Sequence, residues 1–183
     1  MLGFIATFAA GVVLWTFLEY SLHRWAFHGR KLGKKVAREH LDHHAKVDYF
    51  APWATKIAMA APILAGITAL AVLAMGAPGA GVTLGVFSGW LIYELIHRRI
   101  HVAAPGNAYA RWARAHHLSH HFGKSHANHG VTSPIWDHVF GTFEAPGVII
   151  VPRRHAGKFP WLVEERDGKA AVRADFAMGY RVV

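Results

Sequence analysis

The hydrophobic residues of this chain are gathered into three long blocks, which polar segments separate. Residues 2–22 contain one formal charge, at Glu19; residues 57–75 contain none; and residues 77–97 contain one, at Glu94. Each block is close to the roughly 20 apolar residues that a helix needs to cross the hydrocarbon core of a bilayer. Three buried helices of a soluble protein are the alternative, but such blocks rarely occur three times in so short a chain. The pattern therefore predicts three transmembrane helices.

The basic residues indicate how these helices are oriented. All 20 lysines and arginines lie in residues 24–56 or 98–181, and none lies in residues 1–23 or 57–97. Because cytoplasmic loops carry the excess of Lys and Arg, both basic segments are expected in the cytoplasm and the N-terminus outside. The first block lacks a basic n-region and is expected to be a retained helix. The sequence Gly-Ala-Pro-Gly at 76–79 is a turn signal that joins the second and third blocks as a hairpin.

Length and composition favour one membrane-bound unit. The 183 residues suit a single domain, 1–183, with a C-terminal cap over residues 98–183. The predicted fold class is all-α: an integral membrane protein with about three transmembrane helices and a cytoplasmic helical cap. Cysteine is absent, which excludes disulfides, thiolate zinc sites and cysteine nucleophiles. The formal charge of +9 could indicate nucleic acid, but the apolar blocks favour a membrane surface and no nucleic-acid partner.

Histidine is the unusual residue of this sequence. There are 15 histidines, and all lie in residues 23–44 or 97–155. Imidazole is the commonest metal-binding side chain. The chain repeats one plan twice: an apolar helix, a spaced pair of histidines, and then a His-x-x-His-His motif. The four sets are His23 with His28, His40 with His43 and His44, His97 with His101, and His117 with His120 and His121.

Helix geometry places most of these histidines on shared faces. Positions i, i+3 and i+4 lie on one face of a helix, so each His-x-x-His-His motif is expected to present three imidazoles together. His97 and His101 are one turn apart. His23 and His28 fit less simply, because a spacing of five leaves two residues about 140° apart on a regular helix. Either the helix deforms there, or the two side chains face different metal ions.

Ten clustered imidazoles could supply two metal ions with about five nitrogen ligands each, and this ligand type leaves zinc, copper, iron and nickel open. The carboxylate-based di-iron design needs two Glu-x-x-His motifs, and only Glu94 with His97 matches. We therefore interpret Glu94, and Glu19 one turn before His23, as groups that orient a ligand imidazole. The alternative is an interfacial carboxylate at a helix end.

Three stretches of the sequence resemble a known family. Residues 93–101 (YELIHRRIH) look like the third histidine box of fatty acid 2-hydroxylases, residues 117–121 (HLSHH) look like the fourth, and residues 130–142 (GVTSPIWDHVFGT) resemble the stretch that follows it. From Glu19 to Phe143 the chain is similar to the fatty acid hydroxylase / sterol desaturase superfamily of membrane-bound, histidine-rich di-iron oxygenases. Its motifs are most similar to those of the fatty acid 2-hydroxylases.

That resemblance implies an enzyme that hydroxylates, or desaturates, the hydrocarbon part of a lipid such as a fatty acyl chain. O2 and electrons from a separate ferredoxin- or cytochrome-type donor with its reductase would drive the reaction. The resemblance implies two iron ions, with zinc possible in a heterologously produced sample, and neither a tightly bound organic cofactor nor a catalytic side chain beyond the ligands. Asp137 joins Glu19 and Glu94 as a candidate for orienting a ligand. The implied metal ligands are His23, His28, His40, His43, His44, His97, His101, His117, His120 and His121.

Other functions are compatible with part of this pattern. A sterol or carotenoid hydroxylase or desaturase of the same superfamily is one alternative, and a non-catalytic metal-binding membrane protein is another. A metal transporter would place ionisable ligands near the midplane of the membrane, and the middles of the three blocks are apolar. The chain also shows three clear spans where the 2-hydroxylases usually have four.

Five histidines and the C-terminal segment lie outside the four sets. An alternative ligand among His116, His126 and His129 stays open, whereas His138 and His155 are expected to be ordinary side chains. Residues 144–183 contain Pro, Gly and alternating apolar residues, which predict short strands or loops that cap the site. The lipid substrate, the position oxidised and the oligomeric state are left open.

Overall fold

The computed structural model describes all 183 residues, and three long helices dominate it. Helix α1 spans Leu2–Ser21 and continues as a π-helical segment over Leu22–His28; α3 spans Trp53–Met75 and α4 spans Ala80–Val102. All three are long and apolar enough to cross a membrane. Their apolar side chains are largely uncovered by protein, as Leu73 (84% exposed) illustrates. Buried helices of a soluble core would show the opposite, so the chain is an integral membrane protein.

The helices extend further into the polar segments than the apolar blocks predict. The first span continues to His28 instead of residue 22, α3 begins at Trp53 instead of 57, and α4 ends at Val102 instead of 97. The predicted hairpin is present, with a short 3-10 turn at Ala77–Gly79 between α3 and α4. His23, His28 and His101 therefore lie on helical extensions of the predicted spans, and His97 lies at the end of its span.

Helices α1 and α4 approach each other closely through glycine. A Cβ atom at Gly11 would lie 2.2 Å from the carbonyl oxygen of Val82, and one at Gly85 would lie 2.2 Å from that of Phe8. Small residues allow membrane helices to bring their backbones together in this way. Nearer the histidines, a cavity opens between α1, α3 and α4.

Shorter elements cover the end of the bundle that carries the histidines. Strand β1 (Ile149–Val151) pairs in parallel with β4 (Tyr180–Val182), and β2 (Val163–Arg166) pairs antiparallel with β3 (Lys169–Val172). The protein is mostly helical, as predicted, and residues 144–183 contribute the short strands that their alternating apolar residues predict. The elements are α2 (Lys34–Lys46), α5 (Ala108–Phe122), α6 (Ile135–Val139), β1 (Ile149–Val151), α7 (Arg153–Ala156), β2 (Val163–Arg166), β3 (Lys169–Val172) and β4 (Tyr180–Val182).

The C-terminal segment packs against the ends of α4 and α5. Phe159 is fully buried, in one apolar cluster with Ile100 of α4 and Leu118 of α5. Trp161 Nε1 donates a hydrogen bond of 3.0 Å to the carbonyl oxygen of His101. Residues 144–183 thus form a cover over one side of the histidine-rich region.

Candidate metal centre

The ten clustered histidines lie in two groups of five. Within each group, one ring nitrogen from every residue lies within 4.8 Å of the others. Both groups are largely buried. We call these sets the first group (His23, His28, His40, His44 and His120) and the second group (His43, His97, His101, His117 and His121).

Each His-x-x-His-His motif is divided between the two groups. His40 and His44 belong to the first group, whereas His43, on the same helix, belongs to the second. In the second motif the assignment is reversed: His117 and His121 belong to the second group, and the middle histidine, His120, belongs to the first. The three rings of each motif lie together as expected, with centres no more than 6.2 Å apart, but the shared face did not predict their division between two groups. On a helix the i+3 and i+4 side chains diverge by about 100°, so neighbouring histidines of one motif can belong to different groups.

The first spaced pair is aligned by a deformed helix. Leu22–His28 is π-helical, and the N–H of Gly29 bonds the carbonyl oxygen of Arg24 at 3.0 Å, which is an i to i+5 hydrogen bond. The wider π-helical turn rotates residue i+5 toward the face of residue i, so His23 and His28 come together with ring centres 5.1 Å apart. Of the two alternatives that the five-residue spacing left open, helix deformation is the one observed.

Backbone carbonyls orient three of the imidazoles. A carbonyl oxygen only accepts hydrogen bonds, so the Nδ1 atom that faces it carries the proton and Nε2 directs its lone pair into the group. These carbonyls have no side-chain signature, so the sequence could not identify them. The pairs are His23 with His129 (2.5 Å), His43 with Tyr49 (2.7 Å) and His120 with Ala127 (2.7 Å).

Within each group the Nε2 atoms converge. His28 Nε2 lies 3.0 Å from the Nε2 atoms of both His40 and His120. In the second group, His97 Nε2 lies 3.0 Å from His43 Nε2. Nitrogen lone pairs that face one another in a buried site are compensated when a cation binds between them. Both groups are therefore suited to metal binding.

Unpartnered nitrogen atoms and protonation support the same conclusion. The Nε2 atoms of His23, His44 and His121 are buried and have no hydrogen-bond partner. Burial lowers the pKa of His43 to about 4 and, with neighbouring imidazoles, that of His44 to about 3. These side chains are therefore neutral at physiological pH, which is the form of imidazole that binds metals.

Glu19 holds a loop and makes no hydrogen bond to an imidazole. Its carboxylate accepts hydrogen bonds from the backbone N–H groups of Val131 (2.6 Å) and Thr132 (2.7 Å) and from the hydroxyl of Thr132. The expected direct contact with His23 is absent. That loop begins at His129, whose carbonyl faces the His23 ring, so Glu19 acts on the ligand only through the backbone.

The other two candidate carboxylates also contact different partners. Asp137 accepts hydrogen bonds of 2.8 Å from the backbone N–H groups of His129 and of the residue that follows it. Glu94 forms an ion pair with Lys56 of α3 and does not bond His97. A lysine 38 positions away along the chain gives no local sequence signal for this pair.

None of the remaining histidines belongs to either group. His129 comes nearest, with its ring centre 5.3 Å from those of two first-group histidines. His116 is buried and stacked between two aromatic rings. His126 and His138 are exposed, and His155 is buried within the C-terminal segment.

An apolar cavity of about 380 Å³ reaches both groups. Two histidines of each group form part of its wall: His23 and His40 from the first, and His43 and His97 from the second. Apolar side chains of α1, α3 and α4 line most of the rest, at depths that belong to the membrane spans. The shape and lining suit a hydrocarbon chain that enters from the bilayer.

A second, polar cleft reaches only the first group. It has a volume of about 580 Å³, and its lining includes Arg24, His28, His126, His129 and Glu144. The two openings approach the first group from different sides, one apolar and one polar. No histidine of the second group lines this cleft.

Comparison with known proteins agrees with this geometry. A sequence model described as fatty acid hydroxylase matches residues 8–142. The chain is 32% identical over 156 residues to a dihydroceramide fatty acyl 2-hydroxylase of Arabidopsis thaliana, covering 80% of this chain and 62% of that protein. It is 26% identical over 148 residues to a fatty acid 2-hydroxylase of Mus musculus, covering 76% of this chain and 40% of that protein.

A solved structure is also similar. It is described as full-length scs7p with only the hydroxylase domain visible, and it superposes with a TM-score of 0.64 at 30% identity. The match covers 79% of this chain and 58% of that chain. The present chain thus spans about 40–62% of the length of these relatives.

Proposed function

The chain belongs to the fatty acid hydroxylase family, and on that premise we propose that it hydroxylates the acyl chain of a membrane lipid. The observation that carries the proposal is the contact between the apolar cavity and both histidine groups. A hydrocarbon chain in this cavity would lie against ligand side chains of the two groups at once. The names of the similar proteins support an acyl chain in amide linkage and oxidation at the carbon next to its carbonyl.

We assign two iron ions to the centre, one in each group, with the ten histidines as their ligands. Iron bound there would activate O2 with external electrons, a chemistry that no protein side chain supplies. The protein itself positions the imidazole side chains and shields the site from water. Hydrogen bonds to backbone carbonyls hold the imidazoles in one tautomer, and the apolar walls of the cavity keep water from the reacting carbon.

The proposal includes an orientation and an electron donor. The asymmetric distribution of Lys and Arg supports a cytoplasmic site with the N-terminus outside. Electrons would come from a separate ferredoxin- or cytochrome-type protein. The polar cleft beside His28 is the part of the first group's surroundings that faces water, and it supports an approach of the donor on that side.

Mass spectrometry of total lipids from cells with and without the protein tests the function. We expect one class of amide-linked lipid to gain the mass of one oxygen, with fragmentation that places the hydroxyl next to the carbonyl. The matched control is a cell that makes the His43→Ala variant. An unchanged lipid profile in the presence of correctly folded, iron-loaded protein and an electron donor contradicts the proposal, and a product on a sterol or carotenoid redirects it.

A further inference from the structure

An ion pair lies in the wall of the apolar cavity. Lys56, in the first turns of α3, pairs with Glu94 of α4, and their side chains are 18% and 10% exposed. Lys56 is the only lysine or arginine that lines the cavity, and its ammonium group also lies 5.2 Å from the ring centre of Trp53. Charged side chains that are so little exposed among apolar walls cost free energy, and such residues commonly have a functional role.

The pair gives the cavity a polar end beside the metal centre. Glu94 lies one helical turn before His97, a second-group histidine in the same wall. The apolar end lies further into the membrane: Leu64 and Val86, which also line the cavity, are each eight residues from Lys56 and Glu94, or about 12 Å along a helix. A lipid that enters this cavity with its chain at the apolar end has its polar group at the ion pair.

Two of the other polar side chains that line the cavity, Glu19 and Tyr49, are engaged with partners in the protein. The Glu19 carboxylate accepts three hydrogen bonds from Val131 and Thr132, and the Tyr49 hydroxyl donates to Glu39 at 2.6 Å. The Lys56 ammonium has three N–H donors, of which the hydrogen bond to Glu94 uses one. The Glu94 carboxylate likewise keeps free acceptor positions. The ion pair thus offers both a spare donor and a spare acceptor in the cavity wall.

We propose that Lys56 and Glu94 together bind the amide group that joins the acyl chain to its head group, and that they discriminate against a free fatty acid. This inference rests on the proposed function and names the residues that bind the polar end of the substrate. An amide offers one carbonyl acceptor to Lys56 and one N–H donor to Glu94. A free carboxylate offers acceptors only, and its charge is repelled by Glu94, whose own charge has already neutralised Lys56.

The same contact determines which carbon meets the metals. With the amide at the ion pair, one helical turn from His97, the first carbons of the acyl chain are the ones nearest to the histidines of the cavity wall, and the distal carbons lie further away, near Leu64 and Val86. Lys56 and Glu94 act as positioning residues in this arrangement, because they contact the substrate away from the reacting carbon.

Binding measurements on the full-length protein in lipid nanodiscs test the proposal without turnover. The probes are N-ethylhexadecanamide and hexadecanoic acid, compared by displacement of a fluorescent fatty acyl probe at a pH at which the acid is ionised. Wild type is expected to bind the amide more tightly by about tenfold, the scale of one hydrogen bond to a charged group. Glu94→Gln should bring the two affinities within a few-fold of each other, because the acid is no longer repelled.

Further variants separate recognition from structural support. Lys56→Met should weaken binding of the amide by about tenfold, whereas Lys56→Arg, which keeps the charge and the donors, should retain the wild-type preference. The matched control is Lys158→Met, which breaks an exposed ion pair with Asp48 outside the cavity and should leave the preference unchanged. Lys56→Met need not fold for the test to decide, because Glu94→Gln and Lys56→Arg carry it.

The outcomes distinguish this inference from the proposed function. Equal affinities in wild type, or a wild-type preference in Glu94→Gln, overturn the inference even if lipids are hydroxylated in cells. The expected preference with no hydroxylation overturns the function and leaves the amide-binding site in place.

Discussion

Residues 23–44 and residues 97–121 each supply five of the ten clustered histidines, four to one group and one to the other. The structural elements that hold the histidines in place differ between the two halves. In the second half, His101 and His117 are at most 1% exposed, and His101 stacks on Phe159 of the C-terminal segment. In the first half, His28 and His44 are only partly buried, and a π-helical segment supplies the alignment.

This difference shows where the centre is closed and where it is open. The second group has the apolar cavity on one side and the protein core on the other. The first group has the cavity on one side and the polar cleft on the other. Two nearly symmetric sets of histidines thus lie in unequal surroundings, and the polar cleft reaches only the first group.

The largest expected effect comes from the two histidines that cross between the halves. His43→Ala or His120→Ala should reduce product to background and lower the metal content from about two ions per chain toward one, because each removes a ligand together with a link between the halves. Product is measured by lipid mass spectrometry and metal by elemental analysis. His155→Ala is the control, since His155 lies outside both groups. An equally inactive His155→Ala would refute the ligand assignment.

Topology is the next most decisive test, because the two halves share a centre only if they lie on one side of the membrane. Single cysteines at Gly3, Lys46 and Lys169 are probed with an impermeant reagent on intact cells, and the chain has no native cysteine. Labelling is expected at position 3 only. Labelling at 46 without 169, or the reverse, would place the halves on opposite sides.

The cover over the second half should contribute strongly to stability. Phe159 is fully buried and stacks on His101, so Phe159→Ala should destabilise the protein by about 3–5 kcal/mol. The measurement is thermal unfolding in detergent with metal bound. Met178→Ala is the matched control in the same segment, because Met178 is 95% exposed. Equal unfolding temperatures for the two variants would show that the cover is dispensable.

A smaller effect is expected at the loop that supports the first group. Glu19→Gln replaces one of two accepting oxygens by an NH2 group, which should destabilise the loop from Val131 to Thr132 by about 1–3 kcal/mol. Hydrogen exchange of the two amides reports this directly. Glu165→Gln, at an exposed position in the C-terminal segment, should leave them unchanged. Unaltered exchange in Glu19→Gln would assign loop support to Asp137 alone.

Much of the fold could be predicted because the relevant signals are local. Three apolar blocks of membrane-spanning length, a Gly-Pro turn and two repeats of one histidine plan lie within short windows of sequence. Helix periodicity connects such windows directly to a shared face. For His23 and His28 the sequence left two alternatives open, a deformed helix or side chains that face different metal ions. It could not choose between them, because a π-helical segment depends on the packing around it.

What the sequence by itself determined is the set of ten histidines, the three spans and the family. What only the tertiary structure decided is how those histidines are divided and what surrounds them. His40 and His43 have the same local spacing signal, yet they belong to different groups, because the position of α5 and α4 against α2 selects the partner of each. Likewise, the sequence predicted that Glu94 contacts His97, three residues further along the same helix, but Glu94 pairs with Lys56 on another helix. Side-chain partners across helices follow from packing geometry, which short-range periodicity does not encode.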